Sequence, residues 1–413
     1  MKKIFVSLIL LILISMTYCY ANISHENIND NIKFYYVRAR EYNIPSYKTR
    51  TQAGQELIKL INNAQESIDF AFYGFSYQED ILSALINAQK RGVKIRGVVD
   101  INVNGKNDYS GTDYAIKVLG DGIVKTDYLT DIQKLAKIKQ ESPNKYKFFY
   151  GHIMHNKFCI IDNAYIWTGT INISTTGTGG FNENIVTIIH SEQLAQYYKK
   201  EFEQMYLYDK FHENKEKVFT KNFVKVGNSE IKLFFSPNSR IVDDGIIPEL
   251  KQAKKYIYIS MFLITNKDIV NELIAAKKRG VDVKLIIEAN HAKQQYTMHN
   301  LLRKEHIPVK VENWAGKMHA KTAVIDDNTI ISGSANWTNS AFKYNDENLS
   351  IYKNVTNEAQ YLKKEFLLSW KSIPLKWKYF NPNAEGKDSP YSCQDGIDND
   401  HNGLIDIEDP LCK

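Results

Sequence analysis

Apolar and polar positions follow the same order in two stretches of the chain, residues 64–100 and 253–289. Each stretch opens with a run of apolar residues that predicts a buried β-strand. Apolar residues then recur every three or four positions, which predicts a helix with one buried face. A Lys-Arg-Gly-Val turn leads into a second strand, and its glycine, Gly92 or Gly280, suits the end of a helix. The chain therefore repeats a strand–helix–strand unit.

The repeat continues downstream at a constant offset of 164 residues. Seven positions of the first copy return in the second, six with the same residue and one with Ser in place of Thr. In the first copy they are His155, Lys157, Asp162, Gly169, Thr170, Asn172 and Glu183. Their counterparts are His319, Lys321, Asp326, Gly333, Ser334, Asn336 and Glu347. Seven matches in register indicate two halves of related structure.

Strands and helices alternate around these positions, which predicts an α/β fold. We expect two pseudo-symmetric α/β sandwich halves, each a mixed β-sheet flanked by helices, with the active site at their interface. After each motif the pattern predicts a strand and then a helix. These elements are expected at residues 184–189 and 192–206 in the first half, and at 348–352 and 357–370 in the second.

The halves are predicted to span residues 32–210 and 228–380, joined by a linker at 211–227. Between its helix-ending glycine and its histidine, the first half has 24 more residues than the second. The surplus lies in residues 102–147, which are rich in Gly, Asp, Asn and Lys, and it predicts an inserted surface loop. Because one chain carries both halves, we expect a monomer.

The histidine and the lysine of each repeat are two residues apart. Residues i and i+2 of a strand face the same side, so each repeat presents an imidazole and an ammonium group together. Two such pairs suit a phosphate, since one histidine could attack phosphorus and the other protonate the leaving oxygen. Besides the lysines, the side chains expected to grip the phosphate are Thr170, Asn172, Ser334 and Asn336. Glu183 and Glu347 are candidates to orient the imidazoles.

The two motifs resemble the signature of the phospholipase D superfamily, HxK, four residues, Asp, six residues, G[ST]xN. The resemblance covers about residues 32–380 and implies displacement in two steps through a covalent phosphohistidine. His155 is the expected nucleophile, because the N-terminal motif usually supplies it in this family. Asp162 and Asp326 belong to the catalytic motifs, where mainly structural roles are expected for them, and Thr170 replaces the usual Ser. No carboxylate cluster typical of Mg²⁺ accompanies the motifs, so no cofactor is expected for catalysis.

Residues 1–21 have the pattern of a secretory signal peptide, with Lys2 and Lys3 before an apolar run and small residues before a cleavage point near Ala21. The apolar run, Ile4 to Met16, is shorter than the roughly 20 residues that span a membrane. The mature protein is therefore expected to be secreted, to the periplasm or the medium.

Residues 388–413 form an acidic tail, with seven acidic residues and one lysine in a chain whose net charge is +6. In an oxidising compartment Cys393 and Cys412 are the natural disulfide pair, and Cys159 is expected to be a buried free thiol. The tail also has oxygen-bearing residues at alternate positions of a Ca²⁺ loop. The predicted ligands are Asp398, Asp400, Asn402, Asp406 and Asp409. We expect a structural Ca²⁺ site away from the chemistry, the alternative being a solvated acidic tail.

Three functions compete. The expected one is a phosphodiesterase that hydrolyses phosphatidyl phosphodiester bonds at a phospholipid or membrane surface, which export and the insert favour. The alternative is a secreted, metal-independent endonuclease, because a basic body also suits nucleic acid. A binding protein without activity is disfavoured, since both motifs are intact.

Overall fold

The structure is a computed structural model that describes residues 31–141, 151–217 and 222–413. The predicted signal peptide and residues 142–147 of the predicted insert lie outside these ranges. Among the described residues, no helix is both long enough and apolar enough to cross a membrane.

The first half is built on a mixed sheet whose spatial order is β1-β9-β7-β6-β2-β4-β5. Its strands are β1 (Ile32–Val37), β2 (Ser67–Phe72), β4 (Lys94–Val99), β5 (Val124–Thr126), β6 (Lys157–Ile161), β7 (Tyr165–Gly169) and β9 (Asn184–His190). Strands β2, β4 and β5 run parallel, and the other pairings are antiparallel. A small separate sheet joins β3 (Phe75–Ser76) to β8 (Ile173–Ser174).

The second half repeats this order as β11-β17-β16-β15-β12-β13-β14, with β10 added at the edge. Its strands are β10 (Phe223–Val226), β11 (Ser229–Phe235), β12 (Tyr256–Met261), β13 (Asp282–Ile287), β14 (Val309–Val311), β15 (Lys321–Ile325), β16 (Thr329–Gly333) and β17 (Asn348–Lys353). The predicted α/β fold with two pseudo-symmetric halves is therefore confirmed.

Helices flank both sheets. In the first half they are α1 (Gln52–Asn63), α2 (Glu79–Lys90), α3 (Thr112–Leu119), α4 (Tyr128–Glu141) and α5 (Glu192–Tyr208). In the second half they are α6 (Ile247–Gln252), α7 (Lys267–Lys278), α8 (Ala289–Ala292), α9 (His299–Lys304), α10 (Asn339–Lys343) and α11 (Thr356–Ser372). The repeated glycines follow α2 and α7 with φ of +91° and +90°, a left-handed backbone that glycine adopts without strain.

One apolar core joins the two halves, while each half has a further core on its outer face. The shared core takes side chains from α5 and α11 and from both sheets. At its centre the ring of Tyr198 lies 5.0 Å from that of Phe158 and 5.3 Å from that of Phe235, which belongs to the other half. The buried interface fixes how the two motifs face each other.

The insert is not the surface loop that the sequence predicts. Its described part contains α3, β5 and α4, and β5 extends the first sheet by pairing with β4. Ala115 and Leu119 of α3 are buried in the outer core, which explains why polar composition was a poor guide here. The predicted linker, residues 211–227, includes β10, whose alternate residues Val224 and Val226 are buried.

Candidate active site

The two motif histidines lie where the halves meet. His155 and His319 each lie two residues before the start of a central strand, β6 or β15. The backbone N–H of His155 donates to the carbonyl oxygen of Asp346 at 2.9 Å, and that of His319 donates to the carbonyl oxygen of Glu183 at 3.0 Å. Each motif is therefore anchored to the opposite half, and both lie at the predicted interface.

Each motif lysine is buried and folds back on its own histidine. Nζ of Lys157 donates to the carbonyl oxygen of His155 at 2.8 Å, and Nζ of Lys321 does the same to His319 at 2.6 Å. An aromatic ring from the neighbouring strand end lies beside each pair, Tyr73 in the first half and Phe262 in the second. The two halves thus present matching imidazole–ammonium pairs.

The Nδ1 atoms of the two histidines have different partners. Nδ1 of His155 lies 2.9 Å from both carboxylate oxygens of Glu347. Nδ1 of His319 lies 3.0 Å from Oδ1 of Asn184, which also accepts a hydrogen bond from the hydroxyl of Thr170 at 2.9 Å. Both partners are acceptors, so both rings carry their proton on Nδ1 and turn Nε2 toward the site.

Comparison with known proteins finds one family that matches both halves of the chain. The profile of the family described as "Cardiolipin synthase, PLD-like domain" matches residues 57–206 and 246–370, one stretch in each half. The chain belongs to the phospholipase D superfamily.

Curated relatives match about a third of the chain. The phospholipase D of Rickettsia conorii is 28% identical over 149 residues, which are 36% of this chain and 72% of the relative. The mitochondrial cardiolipin hydrolase of Mus musculus is 27% identical over 151 residues, 36% of this chain and 68% of the relative. In fold, the chain is similar to the phosphatidylserine synthase of Haemophilus influenzae Rd KW20, with a TM-score of 0.59 at 12% identity over 84% of this chain and 89% of that one.

Of the two acids predicted to orient the histidines of this phospholipase D-type site, only Glu347 does so. Glu183 instead accepts hydrogen bonds from the hydroxyls of Tyr36 and Ser369 and from the backbone N–H of Ala39. Its carboxylate joins β1 to α11, and the imidazole of His319 has Asn184 as its partner instead.

A change of register explains the difference. Gly169 pairs with Val186, and its counterpart Gly333 pairs with Leu349, so the second half has one residue fewer between these strands. A slip of one residue turns a strand's side chains to the opposite face. Asn184 consequently takes the place in the first half that Glu347 takes in the second.

Positive groups crowd the phospholipase D-type site. Burial lowers the pKa of His155 to about 4 and that of Lys157 to about 7. Burial and the neighbouring positive charges lower the pKa values of His319 and Lys321 well below their ordinary values. The positive charge of Lys321 lowers the pKa of His155, and that of Lys157 lowers the pKa of His319, so each half affects the pKa of the histidine in the other half. Such a site favours an anion.

The motif hydroxyls have a structural task. The Thr170 hydroxyl accepts a hydrogen bond from the backbone N–H of Ile185 at 3.0 Å, and that of Ser334 accepts one from the backbone N–H of Asn348 at 2.9 Å. Both hydroxyls therefore fix the loop that leads to β9 or β17, instead of pointing freely at a ligand.

The motif amides keep hydrogen-bonding capacity for a ligand. Nδ2 of Asn172 donates to the Tyr109 hydroxyl at 2.8 Å. Among the described residues, the buried side-chain oxygens of Asn172 and Asn336 have no hydrogen-bond partner. These amides lie after β7 and β16, at the ends of those strands near the histidines.

Asp162 and Asp326 lie at the far ends of β6 and β15, about 16 Å from the histidine ends if each residue adds about 3.3 Å. The carboxylate of Asp162 accepts hydrogen bonds from the backbone N–H groups of residues 65–67. That of Asp326 accepts three from residues 254–256. The two carboxylates fix the backbone where β2 and β12 begin, and they do not reach the reacting groups.

The tail is closed by a disulfide between Cys393 and Cys412, and Cys159 is a buried free thiol. Of the five predicted calcium ligands, Asp400 and Asp409 converge with Glu385, which lies outside the predicted loop. Asp398 and Asp406 instead accept hydrogen bonds from backbone N–H groups of the tail, and the Asn402 amide donates to Asp409.

The tail packs against the segment that leads to the second motif. Nδ2 of Asn399 donates to the carbonyl oxygen of Ala315 at 2.9 Å, and Nε2 of His401 lies 2.7 Å from Nζ of Lys317. Residues 315–317 lead directly to His319, so the tail packs against the strand entry that carries one motif histidine.

Proposed function

We propose that this protein is an exported phosphodiesterase of the phospholipase D type that hydrolyses phosphatidyl phosphodiester bonds through a covalent phosphohistidine. The observation that carries the proposal is the pairing of His155 with Glu347 across the interface, opposite His319 and flanked by two buried lysines. The leader-like residues 1–21 support export.

In the first step, the lone pair of His155 Nε2 forms a bond to phosphorus. The bond from phosphorus to the leaving oxygen breaks, and His319 donates the Nε2 proton to that oxygen. The His155 ring becomes positively charged as the bond forms, and the carboxylate of Glu347 at Nδ1 offsets this charge. Lys157 and Lys321 stabilise the charge on the two non-bridging oxygens.

In the second step, a water molecule attacks phosphorus. His319, now neutral at Nε2, takes the proton from this water, and the bond between phosphorus and His155 breaks. The products are the alcohol released first and a phosphate monoester. His319 regains its proton, so the site returns to its starting state.

The negative charge of the substrate favours protonation of His319, which lets this residue act as an acid. Without an anion, burial and the positive neighbours keep the pKa of His319 low. A bound phosphodiester carries a negative charge between the two lysines, which favours the protonated imidazole. The acid is therefore charged mainly when the substrate is present.

A cluster of exposed tyrosines favours a lipid substrate. Tyr47, Tyr77 and Tyr114 are 49 to 67% exposed, and Tyr77 and Tyr114 line a surface pocket of about 310 Å³. The pocket also includes Ser110 and Gly111, next to Tyr109, whose hydroxyl meets Asn172 of the first motif. Tyrosine suits the boundary between water and lipid. The names of the relatives, phospholipase D and cardiolipin hydrolase, support the same choice.

A paired assay tests the proposal. Purified residues 22–413 would be given vesicles of phosphatidylcholine, phosphatidylglycerol and cardiolipin in one arm, and DNA and RNA in the other, each with excess EDTA. We expect headgroup release without cleavage of nucleic acid, and no activity for His155→Ala. Cleaved nucleic acid with intact lipid would establish the endonuclease instead. Full activity of both His155→Ala and His319→Ala would overturn the phosphohistidine mechanism.

We also propose that the tail holds a structural Ca²⁺ ion. Asp400, Asp409 and Glu385 offer carboxylate oxygens within 4.8 Å of one another, and oxygen ligands suit this cation. The role is structural, since these groups do not face phosphorus in the proposed mechanism.

A further inference from the structure

A second group of metal-ligating side chains lies behind His155. Asp127 follows β5, Asp131 lies in the first turn of α4, and His212 follows α5. All three are fully buried, and one ligand atom from each lies within 4.8 Å of the others. None of them takes part in the proposed mechanism.

The distances in this cluster suit a metal ion better than hydrogen bonds. Nε2 of His212 lies 3.4 Å from Oδ2 of Asp127 and 3.6 Å from Oδ1 of Asp131. Two donors that are each about 2.1 Å from a tetrahedral zinc ion are about 3.4 Å apart. The two distances from Nε2 of His212 are therefore close to the edge of such a tetrahedron, and the ligand atoms of the three residues all lie within 4.8 Å of one another.

Buried polar atoms without ordinary partners point into the cluster. Among the described residues, the two carboxylate oxygens of Asp131 and Nε2 of His212 make no hydrogen bond of normal geometry, although the backbone N–H of His152 lies toward Asp131. Leaving such groups unsatisfied costs free energy, and a bound cation would remove this cost.

The surroundings of His212 resemble those of a metal ligand. Its Nδ1 lies 3.0 Å from Oδ2 of Asp346, so a carboxylate can fix the ring from behind while Nε2 faces the cluster. His212 also has a left-handed backbone with φ of +55°, a strained conformation for a non-glycine residue. Its backbone N–H donates to Oδ1 of Asp346 at 2.9 Å, which holds the residue in this position.

We propose that Asp127, Asp131 and His212 bind a divalent transition-metal ion of the zinc class. One imidazole and two carboxylates supply the N and O donors that Zn²⁺ accepts, and their two negative charges balance the ion. The insert supplies both Asp127 and Asp131, and the second half has no helix at the corresponding place after β14. The ion joins the insert to the segment between the halves.

The ion would stabilise the first motif through the backbone next to His155. Oδ2 of Asp127 accepts a hydrogen bond from the backbone N–H of Met154, next to His155. Asp346 accepts hydrogen bonds from His212 and from the backbone of His155, and it precedes Glu347. The role is structural, because no ligand is placed to reach phosphorus. The proposal does not depend on which phosphodiester is cleaved.

The test is zinc binding by the full mature chain, residues 22–413, freed of metal by chelator and saturated with Ca²⁺ to occupy the tail. Calorimetric titration with ZnCl₂ and elemental analysis after gel filtration would measure the stoichiometry. We expect one tightly bound Zn²⁺ per chain and a rise in Tm of a few degrees.

Variants locate the ion. Asp131→Asn and His212→Gln should each lower the affinity for zinc at least tenfold. Asp113→Asn, an exposed acid of the same insert, and Asp409→Asn in the tail should bind as the wild type does. Lack of tight zinc binding by the folded wild-type chain would overturn the proposal whatever the variants do. Equal binding by Asp131→Asn and Asp113→Asn would overturn it too, and His212 would then be an imidazolium held by carboxylates.

Discussion

Nδ1 of His155 lies 2.9 Å from the carboxylate of Glu347, a residue of the opposite half. The corresponding atom of His319 meets only the amide oxygen of Asn184, at 3.0 Å. The site is therefore symmetric in its histidines and lysines but not in the groups behind them. A carboxylate stabilises a positively charged imidazole, whereas a neutral amide only orients it. This difference is the reason why we propose His155 as the nucleophile and His319 as the acid.

Replacement of Glu347 by Gln should lower kcat by about 10²- to 10⁴-fold, because the positive charge on His155 in the intermediate loses its counter-charge and the ring loses its fixed tautomer. KM should change little, since Glu347 does not contact the substrate. Steady-state kinetics on phosphatidylcholine vesicles would measure both parameters.

Glu183→Gln is the matched control, because Glu183 follows His155 in the sequence at the same distance as Glu347 follows His319. Its contacts are with Tyr36, Ser369 and Ala39, so the substitution should lower Tm while kcat stays within about threefold of wild type. Equal losses of kcat in the two variants would contradict the asymmetric assignment.

The two histidines should respond differently to the leaving group. His319→Ala lacks the acid of the first step, so on a p-nitrophenyl phosphodiester, whose leaving oxygen needs no proton, it should release about one p-nitrophenolate per chain in a rapid burst. It should then stall, because the second step lacks its base. His155→Ala lacks the nucleophile and should stay inactive on both substrates. Rapid quenching followed by mass spectrometry should find phosphate on His155 in the His319→Ala protein. Phosphate on His319 in His155→Ala would reverse the roles.

The pH profile of kcat/KM should be bell-shaped, with its acidic limb near pH 4 and its basic limb at or below about pH 7, since the lowered pKa values of His319 and Lys321 also act on the basic side. Burial lowers the pKa of His155 to about 4, so the nucleophile is neutral above that pH and is lost to protonation below it. Burial lowers the pKa of Lys157 to about 7, so above that pH the free enzyme loses a positive charge that binds phosphate. The basic limb of kcat should lie at higher pH than that of kcat/KM, because bound phosphate favours the charged lysine. A kcat/KM that is constant from pH 5 to pH 9 would contradict this.

The repeated fold and the two histidine–lysine pairs could be predicted because identical residues recur at one spacing, and local patterns determine strands and helices. The side chain that contacts the imidazole of His319 could not be predicted in this way. Residue identity aligns Glu183 with Glu347, but the strand pairing depends on a loop that is one residue shorter in the second half. The cluster of Asp131 and His212 also joins distant segments, and nothing in either segment alone indicates the contact.

The motif aspartates should matter for stability and not for chemistry. Asp162→Ala removes the acceptor of several backbone N–H groups at the entry to β2, which should cost about 1–3 kcal/mol of unfolding free energy. The folded variant should turn over substrate as fast as the wild type, because the carboxylate lies at the far end of β6. Urea unfolding and kinetics at low temperature would separate the two effects, with Asp121→Ala, an exposed acid, as the control. A fully folded Asp162→Ala protein whose turnover has fallen a hundredfold or more would show a direct role.

Calcium in the tail should influence the second motif through the contact of His401 with Lys317, two residues before His319. Chelation of Ca²⁺ by EGTA should lower Tm and reduce kcat/KM a few fold without abolishing activity, because the ion orders the tail that packs against this entry. Asp400→Asn and Asp409→Asn should behave in calcium as the wild type does in EGTA. Glu408→Gln, an exposed acid outside the cluster, should respond to calcium normally. Calcium titrations that show no binding, or equal binding by all four proteins, would leave the tail as a solvated acidic segment held by its disulfide.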